Sequence, residues 1–136
     1  MDVLTPSERS ARMGLIRSRD TKPEMTVRRL VHGMGYRFRL HGRDLPGRPD
    51  LVFKARSKVI FVHGCFWHLH AKCANNRPPK SSLDYWKPKL ERNVARDKMA
   101  KRRLNKLGWS VLVIWECELA DRDRLQQRID AFLSDA

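Results

Sequence analysis

The chain is poor in cysteine, short of acidic residues and without a long apolar run, and each shortage closes off a class of protein. Three cysteines in 136 residues are an odd number, and the polar, charged first residues do not read as a secretory leader. A disulfide framework is therefore not expected. No Cys-x-x-Cys pair occurs. No apolar stretch approaches bilayer length, and there is neither a basic amphipathic helix with a broad apolar face nor a lipidation signal. No membrane partner is expected, and the protein reads as soluble and cytoplasmic. Asp and Glu number 15 against 29 Lys and Arg, a formal net charge of +14. A surplus of this size on a small chain concerns partners rather than fold, and it favours nucleic acid, whose phosphates reward basic surfaces.

The length suits one domain with one core. Thr5-Pro6-Ser7-Glu8 starts a short helix that runs to about Ile16, with a Thr cap, Pro in the first turn and a capping-box Glu. Residues 1–20 form an arm. Thr21-Lys22-Pro23-Glu24 repeats the signal, and Val27, Leu30, Val31 and Met34 follow at helical spacing until Gly35 closes the helix. Tyr36 to His41 alternates as a half-exposed strand. Leu45 to Pro49 is a loop. Asp50 to Phe53 and Val59 to Val62 are strands joined by a turn at Ala55-Arg56-Ser57. A Pro-rich linker around Pro78-Pro79 leads to a long basic helix from about Leu83 to Leu107, ended by Gly108. Its first turns are expected to be separate or kinked at Pro88. Its apolar stripe is Leu90, Val94, Leu104 and Leu107. Trp109 to Trp115 is so apolar that it reads as a central strand, with both tryptophans in the core. Asp121 to Leu133 is a last helix, with Leu125, Ile129, Phe132 and Leu133 inward. A strand, a long helix and a strand imply a parallel pair in a mixed sheet. The fold class is α/β: a mixed central sheet flanked by helices, with residues 21–136 as one domain.

The scarce cysteines carry chemistry. Cys65-x4-His70-x2-Cys73 supplies three soft ligands from one loop, and Cys117 follows the apolar strand. Three sulfurs and one imidazole are a complete tetrahedral set for structural zinc; buried thiols without metal are the plainer alternative. Beside this loop lie Phe66, Trp67 and His68. Antiparallel pairing of the two short strands would bring Asp50 near His63, next to His68, with Glu24 on a helix nearby. A carboxylate is a hard ligand suited to Mg²⁺, and a histidine can move a proton to or from an attacking water or a leaving oxygen. Together they would serve phosphodiester hydrolysis. The simpler alternatives stay open at this level: Asp50 as a turn residue, Glu24 as a capping-box carboxylate, His63 as a hydrogen-bonded strand end. Phe66, Trp67 and Trp86 could project outward and wedge between base pairs; Met13 could be core or wedge.

Leu45-Pro46-Gly47-Arg48-Pro49-Asp50, Ile60-Phe61-Val62-His63-Gly64-Cys65-Phe66-Trp67-His68, Asn93-Val94-Ala95-Arg96-Asp97, Leu107-Gly108-Trp109-Ser110-Val111 and Val113-Ile114-Trp115-Glu116-Cys117 resemble the very short patch repair (Vsr) endonucleases, from about Arg9 to Leu119. The resemblance implies a restriction-endonuclease-like fold with structural zinc. It also implies a Mg²⁺-dependent enzyme, working as a monomer alongside mismatch-repair proteins. Such an enzyme nicks DNA 5′ to the T of a T·G mismatch left by deamination of 5-methylcytosine. It makes Asp50 the magnesium ligand with the Val62 carbonyl, His68 the general base, and Glu24 and His63 lining residues. It makes Cys65, His70, Cys73 and Cys117 the zinc ligands. Phe66, Trp67 and Trp86 would intercalate and Met13 would enter from the minor groove. Lys89 and Asn93 would contact the mismatched pair, and Arg96 would join them on a DNA-binding face. Two departures stand out: Val62 where well-known members have Thr, and the extra residue in Ala71-Lys72 between His70 and Cys73. A restriction-type nuclease of the same fold, cutting matched DNA on both strands, is the alternative; a non-catalytic zinc-held DNA-binding module comes third.

Overall fold

The computed structural model describes residues 21–65 and 83–134, with side chains from residue 87 onward in the second stretch. The helix read over residues 5–16, the arm of residues 1–20 and the loop bearing residues 66–82 lie outside these stretches.

The first described helix, α1 (Lys22–Gly33), starts as its sequence dictates. Thr21 is extended at the N-cap, and its hydroxyl accepts the Glu24 backbone N–H at 3.3 Å, with Pro23 in the first turn. Gly35 follows the last turn with φ +89°, a left-handed conformation that suits glycine. Four strands form one sheet in the order β1 (Arg39–Leu40), β2 (Leu51–Phe53), β3 (Lys58–His63) and β4 (Ser110–Trp115). The pairings β1–β2 and β2–β3 are antiparallel, and β3–β4 is parallel through the long helix α2 (Leu83–Lys106). A 3₁₀ turn at Lys54–Arg56 joins β2 to β3, and another at Glu116–Ala120 leads into α3 (Arg122–Ser134).

Strand alternation divides the core into two layers. On one face Leu51, Phe53, Ile60, Leu112 and Ile114 meet Val27 and Val31 of α1 and Leu125, Ile129 and Leu133 of α3. On the other, Val52, Val59 and Phe61 meet Leu104 of α2, with Leu45, Trp109, Val111 and Val113 packed alongside. The result is a helix–sheet–helix sandwich, the expected α/β class.

Five details differ from the sequence expectation. The strand at Ser110–Trp115 is the outer strand of the sheet among the described residues, not a central one. Its apolar run reports burial on both faces, which the two core layers supply, rather than pairing on both edges. The helix α2 is continuous through Pro88, so its first turns are not a separate element. Its buried stripe is Leu90, Ala100 and Leu104, whereas Leu107 lies just past the helix end and is 63 % exposed. Both tryptophans are half-buried at the margin of the core rather than within it. The strand read over Tyr36 to His41 is two residues long, although the His41 and Gly42 N–H groups extend the ladder to the Asp50 and Pro49 carbonyls at 3.0 and 2.9 Å.

The loop ahead of Asp50 is clamped onto α2. Gly47 has φ +73°, and a Cβ there would sit 2.6 Å from the Cβ of Ala100 and 3.2 Å from the Phe61 ring. Gly47→Ala combines backbone strain with a clash against a helix. It should cost about 3 kcal/mol and lower Tm by roughly 10 °C. Thermal unfolding of the variant checks this; a loss below about 1 kcal/mol would mean that the loop is not anchored there.

Candidate active site

Asp50 is the last loop residue before β2, opposite the carboxyl-terminal half of β3. Register places Leu51 across from Ile60, and the Val62 backbone N–H donates to the Asp50 carboxylate (Oδ2) at 2.7 Å. His41 and Arg48 on the approach take left-handed backbone, φ 52° and 49°. Two non-glycine residues in that region are a local store of strain next to the carboxylate.

Glu24 comes from the first turn of α1 and is 1 % exposed. Its backbone N–H uses the Thr21 cap, but its carboxylate does not serve as a simple capping group. Oε2 is paired with the Arg28 guanidinium one helical turn on and with the His41 ring at 3.0 Å. Arg28 Nη2 and His41 Nε2 are themselves 3.1 Å apart. Glu24 also lies within hydrogen-bonding reach of Asp50. Two carboxylates therefore meet at the head of β2, with one guanidinium and one imidazole behind them.

This arrangement perturbs Asp50 strongly. Burial pushes its carboxyl up to about 7, and the Glu24 charge and hydrogen bond push the same way. The Val62 N–H and the Arg28 charge pull it down. A divalent cation bound there would offset the mutual repulsion of the two carboxylates.

His63 ends β3 and is 6 % exposed. Its ring stands edge-on to Trp115 with centroids 5.2 Å apart, and Nε2 lies 3.9 Å from Asp97 Oδ1 on α2. The antiparallel pairing thus puts Asp50 and His63 at the same end of adjacent strands, as the sequence reading required. Lys89, Asn93 and Arg96 follow one another at four- and three-residue spacing on α2 and so share a face. Arg96 is exposed; Lys89 and Asn93 are half-buried.

Cys65 is fully buried and Cys117 half-buried. Each lies two positions past the last parallel pair, His63↔Trp115, so both leave the sheet from the same end. His70 and Cys73 lie outside the described residues, as do His68, Phe66, Trp67 and Met13, and the Trp86 side chain is likewise not described. Cys65 and Cys117 are the two of the four expected zinc ligands that the structure describes. Among the described residues no group of three or more His, Cys, Asp or Glu side chains is placed to hold a metal. The magnesium donors expected are one carboxylate and the Val62 carbonyl, both hard oxygens, and the buried acid pair supplies the negative charge that such an ion needs.

Sequence reading missed three partners: Arg28, His41 and Asp97. A signal existed for one of them: Arg28 is four residues after Glu24. Asp97 faces His63 only through the packing of α2 beside β3. His41 meets Glu24 only through the β1–β2 pairing, which no local pattern reveals.

Residues 1–75 match the protein family described as DNA mismatch endonuclease Vsr. The chain is 52 % identical over 128 residues to the Type II nicking enzyme V.XorIIP of Xanthomonas oryzae pv. oryzae, spanning 94 % of this chain and 93 % of that one. It is 43 % identical over 124 residues to DNA mismatch endonuclease Vsr of Escherichia coli K12, covering 91 % and 79 %. Among solved structures it resembles the catalytic domain of the homing endonuclease I-Bth0305I, with a TM-score of 0.57 at 21 % identity over 83 % of this chain and 94 % of that one. That likeness places the fold in the restriction-endonuclease-like class. Among the described residues no helix is long and apolar enough to cross a membrane.

Proposed function

The chain belongs to the Vsr family of DNA mismatch endonucleases, and on that premise we propose that it nicks one strand of duplex DNA on the 5′ side of the thymine in a T·G mismatch. The observation that carries this reading is the acid pair at the head of β2, a buried Glu24 against a half-buried Asp50, with the Asp50 carboxylate aimed by the Val62 N–H. A buried acid pair at a sheet end has no structural purpose that an apolar pair would not serve better. It is suited to a divalent ion and a phosphate.

Asp50, together with the Val62 carbonyl, would hold magnesium, which would supply Lewis-acid polarisation of the scissile phosphate and charge neutralisation at its oxygens. Glu24 keeps Asp50 in place and adds negative charge to the site. His68, carried over from the resemblance, takes the proton from the attacking water as the water oxygen bonds to phosphorus and the bond to the leaving oxygen breaks. His63 lines the site, held by Trp115 and faced by Asp97. Cys65, His70, Cys73 and Cys117 would hold a structural zinc, which would fix the loop that bears His68, Phe66 and Trp67. Those aromatics, with Trp86 and with Met13 from the other groove, test the stack; Lys89 and Asn93 meet the exposed pair, and Arg96 meets the backbone. A wobble pair is already displaced, so opening it costs less than opening a matched pair.

The test is a nicking assay with magnesium on otherwise identical T·G and matched duplexes. A single nick 5′ to the mismatched thymine, faster by about 10²-fold than any cleavage of matched DNA, is expected from a difference of roughly 3 kcal/mol in opening the stack. Equal cutting of both duplexes removes mismatch selection. Double-strand cleavage of matched DNA would establish the restriction-type alternative.

A further inference from the structure

A groove of about 540 Å³ runs along β1 and the turn that follows it, next to the acid pair but outside it. Arg39, Arg43 and Lys54 line it together with His41, Asp44 and Trp109. The first three are exposed, and among the described residues none of them takes part in an ion pair. Three cations against one acid give the groove a positive field on a concave surface. Gly42 lets the wall close, since a Cβ there would lie 2.8 Å from Val52 Cγ2. His41 joins the groove to the site. Its ring contacts Glu24 at 3.0 Å, and its backbone N–H donates to the Asp50 carbonyl at 3.0 Å. The groove therefore begins one strand spacing from Asp50, about 4.8 Å.

We propose that this groove is a phosphate-binding channel that carries the DNA backbone away from the cleavage position along the outer edge of the sheet. The inference rests on the DNA-directed reading above and adds a binding surface to it. Cations on a concave surface beside a phosphodiester-cleaving site suit a polyanion, and each phosphate neutralised releases condensed counterions. The flat Trp109 indole and the Leu40 side chain, 42 % exposed, give the deoxyribose an apolar floor. A rival use of the same residues exists: β1 is an edge strand, and basic side chains on an edge discourage pairing with another chain.

The experiment uses the full chain and a variant carrying Arg39→Gln, Arg43→Gln and Lys54→Gln. A control carries Arg29→Gln, Arg122→Gln and Arg124→Gln, which removes the same charge from exposed positions on α1 and α3. Affinity for a matched duplex is measured by fluorescence anisotropy without magnesium across a salt series. If the three cations each neutralise one phosphate, the slope of log K against log salt should shrink by about 2 to 3 in the groove variant, at roughly 0.9 per phosphate, and by less than about 1 in the control. A slope change below about 1 in the groove variant, or an equal change in the control, overturns the channel. Unchanged binding accompanied by self-association in light scattering assigns the cations to edge protection and also overturns it. Matched-duplex binding needs no cleavage, so failure of the nicking assay and failure of the groove are read separately.

Discussion

Replacing Asp50 with asparagine should remove nicking and, at the same time, stabilise the magnesium-free protein above pH 7. The two effects come from one carboxylate. Asparagine keeps an oxygen for the Val62 N–H, which lies 2.7 Å from the carboxylate, so the local fold survives. It loses the negative charge that would hold the divalent ion. Losing a Lewis acid worth several kcal/mol corresponds to about 10³-fold or more in rate. The stability effect follows from linkage. Asp50 titrates at about 7 in the fold, against an ordinary value of 3.8. Below pH 4 the group is protonated in both folded and unfolded chains and contributes no difference. Between pH 4 and 7 the unfolded chain ionises first, so stability falls as pH rises. Above pH 7 both forms are ionised and the penalty is complete, on the order of 4 kcal/mol. Wild type without magnesium should therefore lose about 2 to 3 kcal/mol from this group between pH 5 and pH 8, and Asp50→Asn should lose none of it. Magnesium should raise the Tm of wild type more at pH 8 than at pH 6, since the proton must leave before the ion binds, and should leave Asp50→Asn unchanged. Parallel pH curves for the two proteins would show that Asp50 is not the buried acid described; full nicking by the variant would remove it from the metal site.

Much of this arrangement is legible without a structure, and the illegible part has a physical pattern. Local signals sufficed where one residue decides the outcome: the Thr21 cap, the positive-φ Gly35 and Gly108 after two helices, and the strand–helix–strand order that makes β3 and β4 parallel. The strand-end proximity of Asp50 and His63 followed from pairing alone. What escaped reading depends on interactions among distant residues. The apolar run at Ser110–Trp115 reports two covered faces and says nothing of its edges, so its outer position was hidden. Leu107 matched the helical spacing, but Gly108 stops the helix too soon for Leu107 to share the buried side, and Ala100 fills that place. Glu24 is the clearest case. Its spacing from Thr21 fits a capping box, and half of that motif forms. The carboxylate, however, has two other suitors, and one of them, His41, arrives seventeen residues away through a strand pairing. Competition between a local hydrogen bond and a tertiary ion pair is decided by desolvation, which a sequence pattern does not contain.

That competition yields a second large effect: Arg28→Met should destabilise the protein by about 3 to 5 kcal/mol, lowering Tm by roughly 10 to 15 °C. The Arg28 side chain is 14 % exposed and the Glu24 side chain 2 %, so the pair sits largely away from water. Removing the cation leaves Glu24 buried with its charge, beside a second carboxylate and the His41 ring. The loss would be dominated by that uncompensated charge rather than by the contact itself, since a buried pair contributes little net stability against an apolar pair of the same volume. The double variant Arg28→Met, Glu24→Gln separates the two accounts. If the stranded charge is the cause, neutralising Glu24 should recover more than half of the lost stability, measured by denaturant unfolding at pH 7. If instead the Arg28 side chain contributes through packing, the double variant should be no more stable than the single one. A single-variant loss below about 1 kcal/mol would mean that Glu24 takes a proton or finds water when Arg28 is gone, and that the acid pair does not depend on its guanidinium.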